Sequence, residues 1–546
     1  MILQHFILAA LAGKGLILRL ADARAITLRQ DIDFHVSPVF VTYKEGAPLM
    51  RAIDDYTFGG PNHPAKKDFL AKTWLPICNP TAGDLCAALT NAALCNPGRA
   101  LYACRVDISK AYHRVRTDPR DVPLMALAFR DGDVELVYFP LTNEFGSEDS
   151  NYRYAVPAAV LIAPRLVADF RTHGCYLSSV YTDDNWHFDD LLGCLTFIGA
   201  ITHDARALGS DAVEDRKTLL QPQLPLHGYA MDCTALTIGI TERIFMRFLD
   251  ALCTAVPREP RHGDRVPLQA MQQLASYAIR CASLMPLMRA HSKGFSWNTR
   301  RRFASGASVS LTLRAVQDIW RWRYALTSAL SLPNLLVVPI SVPLLYRLLP
   351  GETRVDLADR QAALATSVGF ADACTNGNGL GGYIPDVGYF STAILLLTTY
   401  VRDDDCLAEI DINPLEFLAI LLLAHIMVDT YISRYPLPML QPHAHFHIWS
   451  DNASSVSWAT RATASHPLHI FITQELARLQ ATKNCVFTFG SIAGVDNIHA
   501  DAASRHFKCP NGPALRLELD KLGQLPVSSQ LLTAAVYASK TLSICT

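Results

Sequence analysis

Three short apolar runs in this chain stop on an aspartate, and nothing else in the sequence limits its fold as much. Leu101 to Val106 leads into Asp107, a run within GFADAC stops at Asp372, and HFHIWS leads into Asp451 and Asn452. Short apolar runs bounded by turn residues read as buried strands. Each therefore delivers a carboxylate to the end of a sheet. Helical spacing lies between the first strands, from Pro157 to Phe170 and from about Asp190 to Leu208, with Gly209 as a C-cap. Strands and helices mixed in this way predict an α+β layer.

Residues 35–60 alternate apolar and polar around Lys44-Glu45-Gly46 and predict extended structure with turns. A helical stretch follows to about Gly98, and residues 135–142 predict a strand. Ser178 to Trp186 predicts a strand–turn–strand hairpin around Asp183-Asp184. The pattern over 236–295 is helical, with starts at Thr241-Glu242-Arg243 and Pro267-Leu268-Gln269, whereas 296–365 is less regular. A second α/β pattern runs from Ser367 to about Arg505, and the tail from His506 to Thr546 carries no chemical motif. At 546 residues the chain exceeds what one core serves, and its size predicts three or four domains.

Half the residues are apolar and 18% are charged, which excludes a disordered chain. The formal net charge of −1 gives no global basic signal, so a nucleic-acid reading rests on local surfaces. The 14 cysteines include no C-x-x-C, so a zinc site is not expected. Scattered thiols fit a reducing, intracellular compartment. Ile2 to Ala12 is apolar with a small-residue end, but no basic segment precedes it, and a secretory signal is not expected. Leu415 to Val428 carries Glu416 and His425 and is shorter than the ~20 residues a span needs. A buried helix is expected there, and no membrane partner.

In CRVDISKAYHRV, Asp107 ends its strand and Tyr112 follows; in SSVYTDDNW, Asp183 and Asp184 share a tight turn. Adjacent aspartates repel unless a divalent cation lies between them. Phosphoryl transfer to a growing strand needs such a place, with one cation at the attacking 3′ oxygen and one at the triphosphate. Taken alone, Tyr-Thr-Asp-Asp is equally well a solvated turn, and Tyr112 is better read as a core tyrosine. A strand-terminal aspartate upstream, in this order of elements, favours the cation reading.

This arrangement resembles reverse transcriptases, whose palm has an Asp-x-x-x-x-aromatic motif followed by a Tyr-x-Asp-Asp hairpin. The resemblance implies that Asp107 and Asp183 bind two Mg²⁺ (or Mn²⁺) ions, that Asp184 supports them, and that Tyr112 excludes a 2′-hydroxyl. It also implies that Lys44 and Arg51, in VTYKEGAPLMRAIDDY, grip the incoming deoxynucleoside triphosphate. Without the family both are ordinary surface charges. Lys217, in Asp215-Arg216-Lys217-Thr218, matches the residue that protonates pyrophosphate, and Leu226-His227-Gly228 matches the primer grip. One stretch departs from the family pattern. After Phe145-Gly146-Ser147, Glu148 and Asp149 bring negative charge to where template and nucleotide are expected.

A second set of carboxylates comes later in the chain: Asp372 before a Gly-rich turn, Glu416 in INPLEFLAILLLAH, Asp451 after HFHIWS, and Asp501 in VDNIHADAASRH. Four carboxylates from different elements can hold two metals and hydrolyse a phosphodiester. Singly, each has a plainer explanation. Glu416 fits the N3 place of a capping box, with Asn413 as N-cap and Pro414 at N1. Asp451 fits an N-cap, and Asp501 a helix surface charge. Together, in the order strand-Asp, helix-Glu, strand-Asp-Asn, helix-Asp, they resemble the ribonuclease H fold. The ending Asp496-Asn497-x-x-Ala500-Asp501-x-x-Ser504-Arg505 is similar to retroelement ribonucleases H, most of all those of DIRS-type and gypsy-like elements. A basic cluster lies between the two sets: Lys293, Arg300, Arg301, Arg302, Arg314, Arg321 and Arg323, with Trp297, Trp320 and Trp322. Arginine beside aromatic surface suits a nucleic-acid backbone, which is the expected role, with Trp297, Arg300, Arg301 and Arg302 as contacts, although a solvated helix face over core tryptophans is the plainer alternative.

The expected fold is an α+β right-hand polymerase of fingers, palm and thumb followed by an α/β ribonuclease H-like domain. Its expected divisions are fingers in 1–100, palm in 101–235, thumb in 236–295, a connection in 296–365, the ribonuclease H-like domain in 366–507, and a tail. The implied partners are an RNA template, a DNA primer, an RNA–DNA hybrid and deoxynucleoside triphosphates. Neither protease nor integrase motifs are read, so other retroelement polyprotein parts are expected elsewhere. Two rivals remain: a degenerate copy that binds nucleic acid without synthesis, and an interaction protein whose carboxylates are caps and turns.

Overall fold

A computed structural model describes residues 15–19, 22–25, 36–42, 51–54, 80–108, 111, 115–116, 122–131, 133–142, 150–207, 217–295, 308–331, 337–349, 351–375, 379–393, 412–434, 444–462, 467–483, 485–506, 519 and 521–535. Lys44, Tyr112, Trp297, Arg300, Arg301, Arg302 and the stretches 2–12 and 143–149 lie outside the described residues. Of Arg51 only the backbone is described. The chain divides into two compact units, Met1–Leu224 and Pro225–Thr546.

In the first unit, β1 (Gly15–Arg19), β2 (Val36–Thr42) and β3 (Arg51–Asp54) precede helix α1 (Ala82–Cys95). Thr81 caps α1 by a reciprocal box with Asp84. After β4 (Tyr102–Asp107) come β5 (Ala126–Asp131) and β6 (Val134–Pro140), giving a sheet ordered β1-β6-β5-β2-β3. A second sheet takes β4 with β7 (Ser178–Tyr181), β8 (Asp184–Asp189) and β9 (Leu219–Gln221), in the order β7-β8-β4-β9. Helices α2 (Ser150–His173) and α3 (Leu191–Ala207) connect these strands, so, with β5 and β6 inserted after β4, this layer runs β4-α2-β7-β8-α3-β9, a split βαβ arrangement. Val106 and Ile108 pack with Tyr154, Leu161 and Ile162 of α2 and with Phe197 and Ile201 of α3.

The sequence predicts α2 from Pro157, but it begins at Ser150 and holds Pro157 and Pro164 inside it. Tyr154 is buried in the same core, and that burial holds the turn before Pro157 in helical form despite the missing N–H.

The division between units falls in β10 (Gln223–Leu226). In the second unit β11 (Tyr229–Asp232), β12 (Thr237–Ile240) and later β15 (Val337–Pro339) continue in sheet order from it. The first part of the expected helical region is therefore a hairpin. Its helices start where the sequence places them: α4 (Glu242–Thr254) after Thr241 and α5 (Leu268–Ala282) after Pro267. A short pair, β13 (Arg265–Pro267) with β14 (Ser308–Ser310), precedes α6 (Leu313–Ser331).

Helix α6 lies where the sequence predicts a less regular stretch, and it uses most of the described basic cluster internally. Trp322 is fully buried, packs on Phe248 at 5.1 Å and donates from Nε1 to His291 O at 2.9 Å. Arg323 donates to the carbonyls of Leu252 in the last turn of α4 and of Val256, Pro257 and Arg258 just past its end. Arg314 donates to Ala290 O and pairs with buried Asp318 at 3.1 Å. Trp320 remains half exposed, and Arg321 lies 3.7 Å from Glu475.

After α7 (Arg354–Ala363), strands β16 (Ser367–Cys374), β17 (Gly379–Ile384) and β18 (Gly388–Ala393) form an antiparallel meander. Then come α8 (Ile412–Arg434), β19 (Ala444–Ser450), α9 (Ala453–Arg461), α10 (Pro467–Lys483), β20 (Cys485–Ser491) and α11 (Ile498–Ser504). The five strands lie in the order β18-β17-β16-β19-β20, with β19 parallel to both β16 and β20. Helix α8 has 23 residues, longer than the apolar run predicts and enough to cross a membrane by length and composition. Of its most apolar window 72% is buried, and Gly369 of β16 lets Leu423 and Met427 close on the sheet. Part of the tail also has a place. Tyr389 of β18 exchanges backbone hydrogen bonds with Gly523 and Leu525, and Leu519 packs on Ala503, so the tail covers an open strand edge.

Candidate metal centres

In the first unit, strand register brings together carboxylates that lie far apart in sequence. Asp107 is the cross-strand partner of Asp184, and Tyr181 is the partner of Asp184 in β7 and β8, so Thr182 and Asp183 form the turn. Thr182 has φ +57°, an uncommon conformation for a β-branched residue. Ile108 N donates to Asp183 O at 3.1 Å and fastens this turn to the end of β4. Asp107 is 7% exposed and accepts from Lys217 Nζ at 3.1 Å. Arg105 Nε stands 3.8 Å from Asp184 Oδ1.

The electrostatics arise from burial first and from this crowding second. Burial, then the Asp107 charge, raises Asp183 above the usual carboxylate range. Burial pushes Asp184 up to about 6 against the pull of Arg105, and its carboxyl hydrogen-bonds with that of Asp107. Lys217 and Arg105 offset only part of the repulsion, so the group suits a divalent cation.

Behind the turn lies a buried network with no sequence signal. Asp169 Oδ2 accepts from Leu177 N at 3.0 Å and from Ser178 Oγ at 2.7 Å. Ser178 Oγ lies 2.8 Å from His187 Nδ1, and His187 Nε2 lies 3.3 Å from Asp189 Oδ2. Asn96 Nδ2 completes it at 2.8 Å from Asp189 Oδ1, and Gly193 leaves room for that carboxylate. Ser178 and His187 are paired residues of β7 and β8, so these bonds anchor the open end of the hairpin whose turn carries Asp183.

In the second unit, Asp372 of β16, Glu416 of α8 and Asp451 after β19 offer ligand oxygens all within 4.8 Å of one another. Asp501, on α11, lies outside that tightest group but close enough to raise the pKa of Asp372, Glu416 and Asp451. Glu416 is 4% exposed, its Oε2 has no hydrogen-bond partner, and the carboxylate accepts from the backbone of Ala373. That placement is not the capping box that the sequence allows. Asn413 Oδ1 instead accepts from Asn452 Nδ2 at 2.8 Å. Burial, then Asp372, pushes the Glu416 carboxyl up to about 9; burial pushes Asp372 up to about 7. An unpaired buried oxygen among three other carboxylates fits a bound divalent cation.

Two residues in the ending that resembles ribonuclease H hold this centre in place. Ser504 Oγ donates to Asp372 Oδ2 at 2.6 Å, and Asn497 Nδ2 donates to Ala371 O at 3.1 Å. Asn452 caps α9 by accepting from Ser455 N, which leaves the Asp451 carboxylate at the start of that helix. Glycines explain how α11 reaches the sheet. A Cβ at Gly379 or Gly381 would overlap the backbone of Ser504. Gly381→Ala is expected to displace α11, costing about 1–3 kcal/mol of stability by overpacking. It should also weaken Mg²⁺ binding at this centre. Thermal melting and Mg²⁺ titration check both, and wild-type values would refute the close packing.

The sequence matches no protein-family model and no curated protein. Among solved structures it is similar to foamy viral protease–reverse transcriptases. One, termed dRH and in complex with double-stranded DNA, is 13% identical, with 85% of this chain and 68% of that chain covered and a TM-score of 0.38. A second, with an RNA/DNA hybrid, is 11% identical, with 87% and 54% covered and a TM-score of 0.34. A third, with double-stranded DNA, is 13% identical, with 87% and 82% covered and a TM-score of 0.36.

Proposed function

We propose that this chain is an RNA-directed DNA polymerase with ribonuclease H activity, from a retroelement polyprotein. What supports the reading is one observation: a single chain holds two separate carboxylate groups, one at a strand end and hairpin turn and one drawn from strands and a helix, each too buried and crowded to be fully charged without a cation. In this reading β4-α2-β7-β8-α3-β9 is the palm, and β16 to α11 is the ribonuclease H-like domain. The fingers precede the palm, and a thumb and connection separate the two domains. Mg²⁺ or Mn²⁺, two per centre, supplies Lewis-acid stabilisation of the phosphoryl group and a lowered pKa for the attacking oxygen.

The chain's own residues then have distinct tasks. Asp107, Asp183 and Asp184 hold the polymerase cations, and Lys217, already against Asp107, gives a proton to the leaving pyrophosphate. Lys44 and Arg51 grip the triphosphate, Tyr112 reads the sugar, and Trp297 with Arg300, Arg301 and Arg302 contacts the nucleic-acid backbone. Asp372, Glu416, Asp451 and Asp501 hold the nuclease cations, with Ser504 orienting Asp372. Purified chain with Mg²⁺, an RNA template and a DNA primer should extend the primer and cut the RNA of the resulting hybrid. Glu148 and Asp149 favour a second reading, a degenerate copy. Hybrid binding without extension would select it, and neither binding nor extension would sink both.

A further inference from the structure

The end of α1 and the segment entering β7 bring two thiols together. Cys95 is the last residue of α1, and Cys175 follows the left-handed turn at Gly174 after α2. Their sulfurs stand 3.7 Å apart although 80 residues separate them along the chain. Asn91 Nδ2 donates to Tyr176 O at 3.0 Å, and the rings of Phe170 and Tyr176 lie 5.7 Å apart. The first contact docks the two segments without help from the thiols, and the second holds Tyr176 against the end of α2. Both cysteines are partly exposed, so a small oxidant reaches them.

We propose that Cys95 and Cys175 form a reversible modification site, closing to an intramolecular disulfide when a peroxide reaches the pair. One thiolate attacks hydrogen peroxide, breaking the O–O bond and giving a sulfenic acid. The second thiol displaces its hydroxyl, so two thiols and one peroxide become one disulfide and two waters. The sulfurs need only close from 3.7 Å to about 2.05 Å. Access sets the selectivity. Cys104 and Cys194 also contact each other but are fully buried. Burial, then Cys95, pushes the Cys175 thiol up to about 11, so little of it is thiolate near neutrality and more becomes so as pH rises. The crosslink ties α1 to the segment feeding β7, and it does not depend on the polymerase reading.

The test treats the full, pre-reduced chain with hydrogen peroxide at several pH values, followed by intact mass and peptide mapping. The expected result is a loss of two hydrogens, a linked Cys95–Cys175 peptide pair and reversal by dithiothreitol. Its rate should rise roughly tenfold per pH unit below the thiol pKa, since the thiolate is the nucleophile. Cys175→Ser should abolish the loss, and mapping of the unmutated chain decides the matter if that variant fails to fold. Oxygen addition at these cysteines without linkage, or linkage at any other pair, would overturn the proposal.

Discussion

Asp183→Asn is expected to abolish Mg²⁺-dependent primer extension while leaving the first unit folded. Asp183 sits in the turn fastened to β4 by the Ile108 N–H, and that bond uses the backbone carbonyl, which asparagine keeps. Its carboxyl is raised by burial and by Asp107, so removing the charge relieves repulsion in the metal-free protein. The variant should therefore melt no lower than the wild type, and a loss of activity cannot be ascribed to unfolding. Losing an outer-shell partner of a metal ligand typically costs roughly 10–100-fold, and losing the ligand itself should cost more. Extension assays across a Mg²⁺ and Mn²⁺ series, with thermal melts of the same preparation, make the measurement. Extension at the wild-type rate would remove Asp183 from the centre and the palm reading with it.

What the sequence shows of these centres is the strands that carry them. Apolar runs ending at Asp107, Asp372 and Asp451 are local features, and the structure places Asp107 at the end of β4 and Asp451 just past β19, whereas β16 runs on for two residues beyond Asp372. Register is not local, so the sequence is silent on Asp107 standing opposite Asp184. The same holds for Asp169, Ser178, His187 and Asp189, whose bonds cross two strands and a helix and leave no periodic mark. Gly379 and Gly381 read as turn and strand glycines, and only the approach of α11 shows that their missing side chains make room for it. The basic cluster shows the opposite failure. Arginine and tryptophan alternate visibly around Arg321, but spacing does not say which face is inward, and Arg314, Trp322 and Arg323 turn out to bond within the fold. Pro157 misleads because proline favours a helix start, whereas the burial of Tyr154 carries α2 past it.

The two activities should separate at Glu416→Gln, with hybrid cleavage lost and primer extension kept. Glutamine preserves the shape of the side chain and its bond from Ala373, but removes the charge that faces Asp372 and Asp451. Were Glu416 a cap, the change would cost from a few tenths to about 1 kcal/mol and leave cleavage intact. As a ligand held with its Oε2 unpaired, its loss should lower cleavage by more than roughly a hundredfold. Stability gives a second readout of opposite sign. The folded carboxyl sits at about 9 against an ordinary value of 4.5, so the folded metal-free protein binds the extra proton between those limits. Its stability therefore falls as pH rises through that window. Glutamine removes this penalty, so without metal Glu416→Gln should melt above the wild type near pH 8. Adding Mg²⁺ should raise the wild type more than the variant, because only the wild type offers the charge. One hybrid-cleavage gel, one extension gel and melts with and without Mg²⁺ make the test. Cleavage at the wild-type rate, or an equal Mg²⁺ shift in both proteins, would show that Glu416 holds no metal.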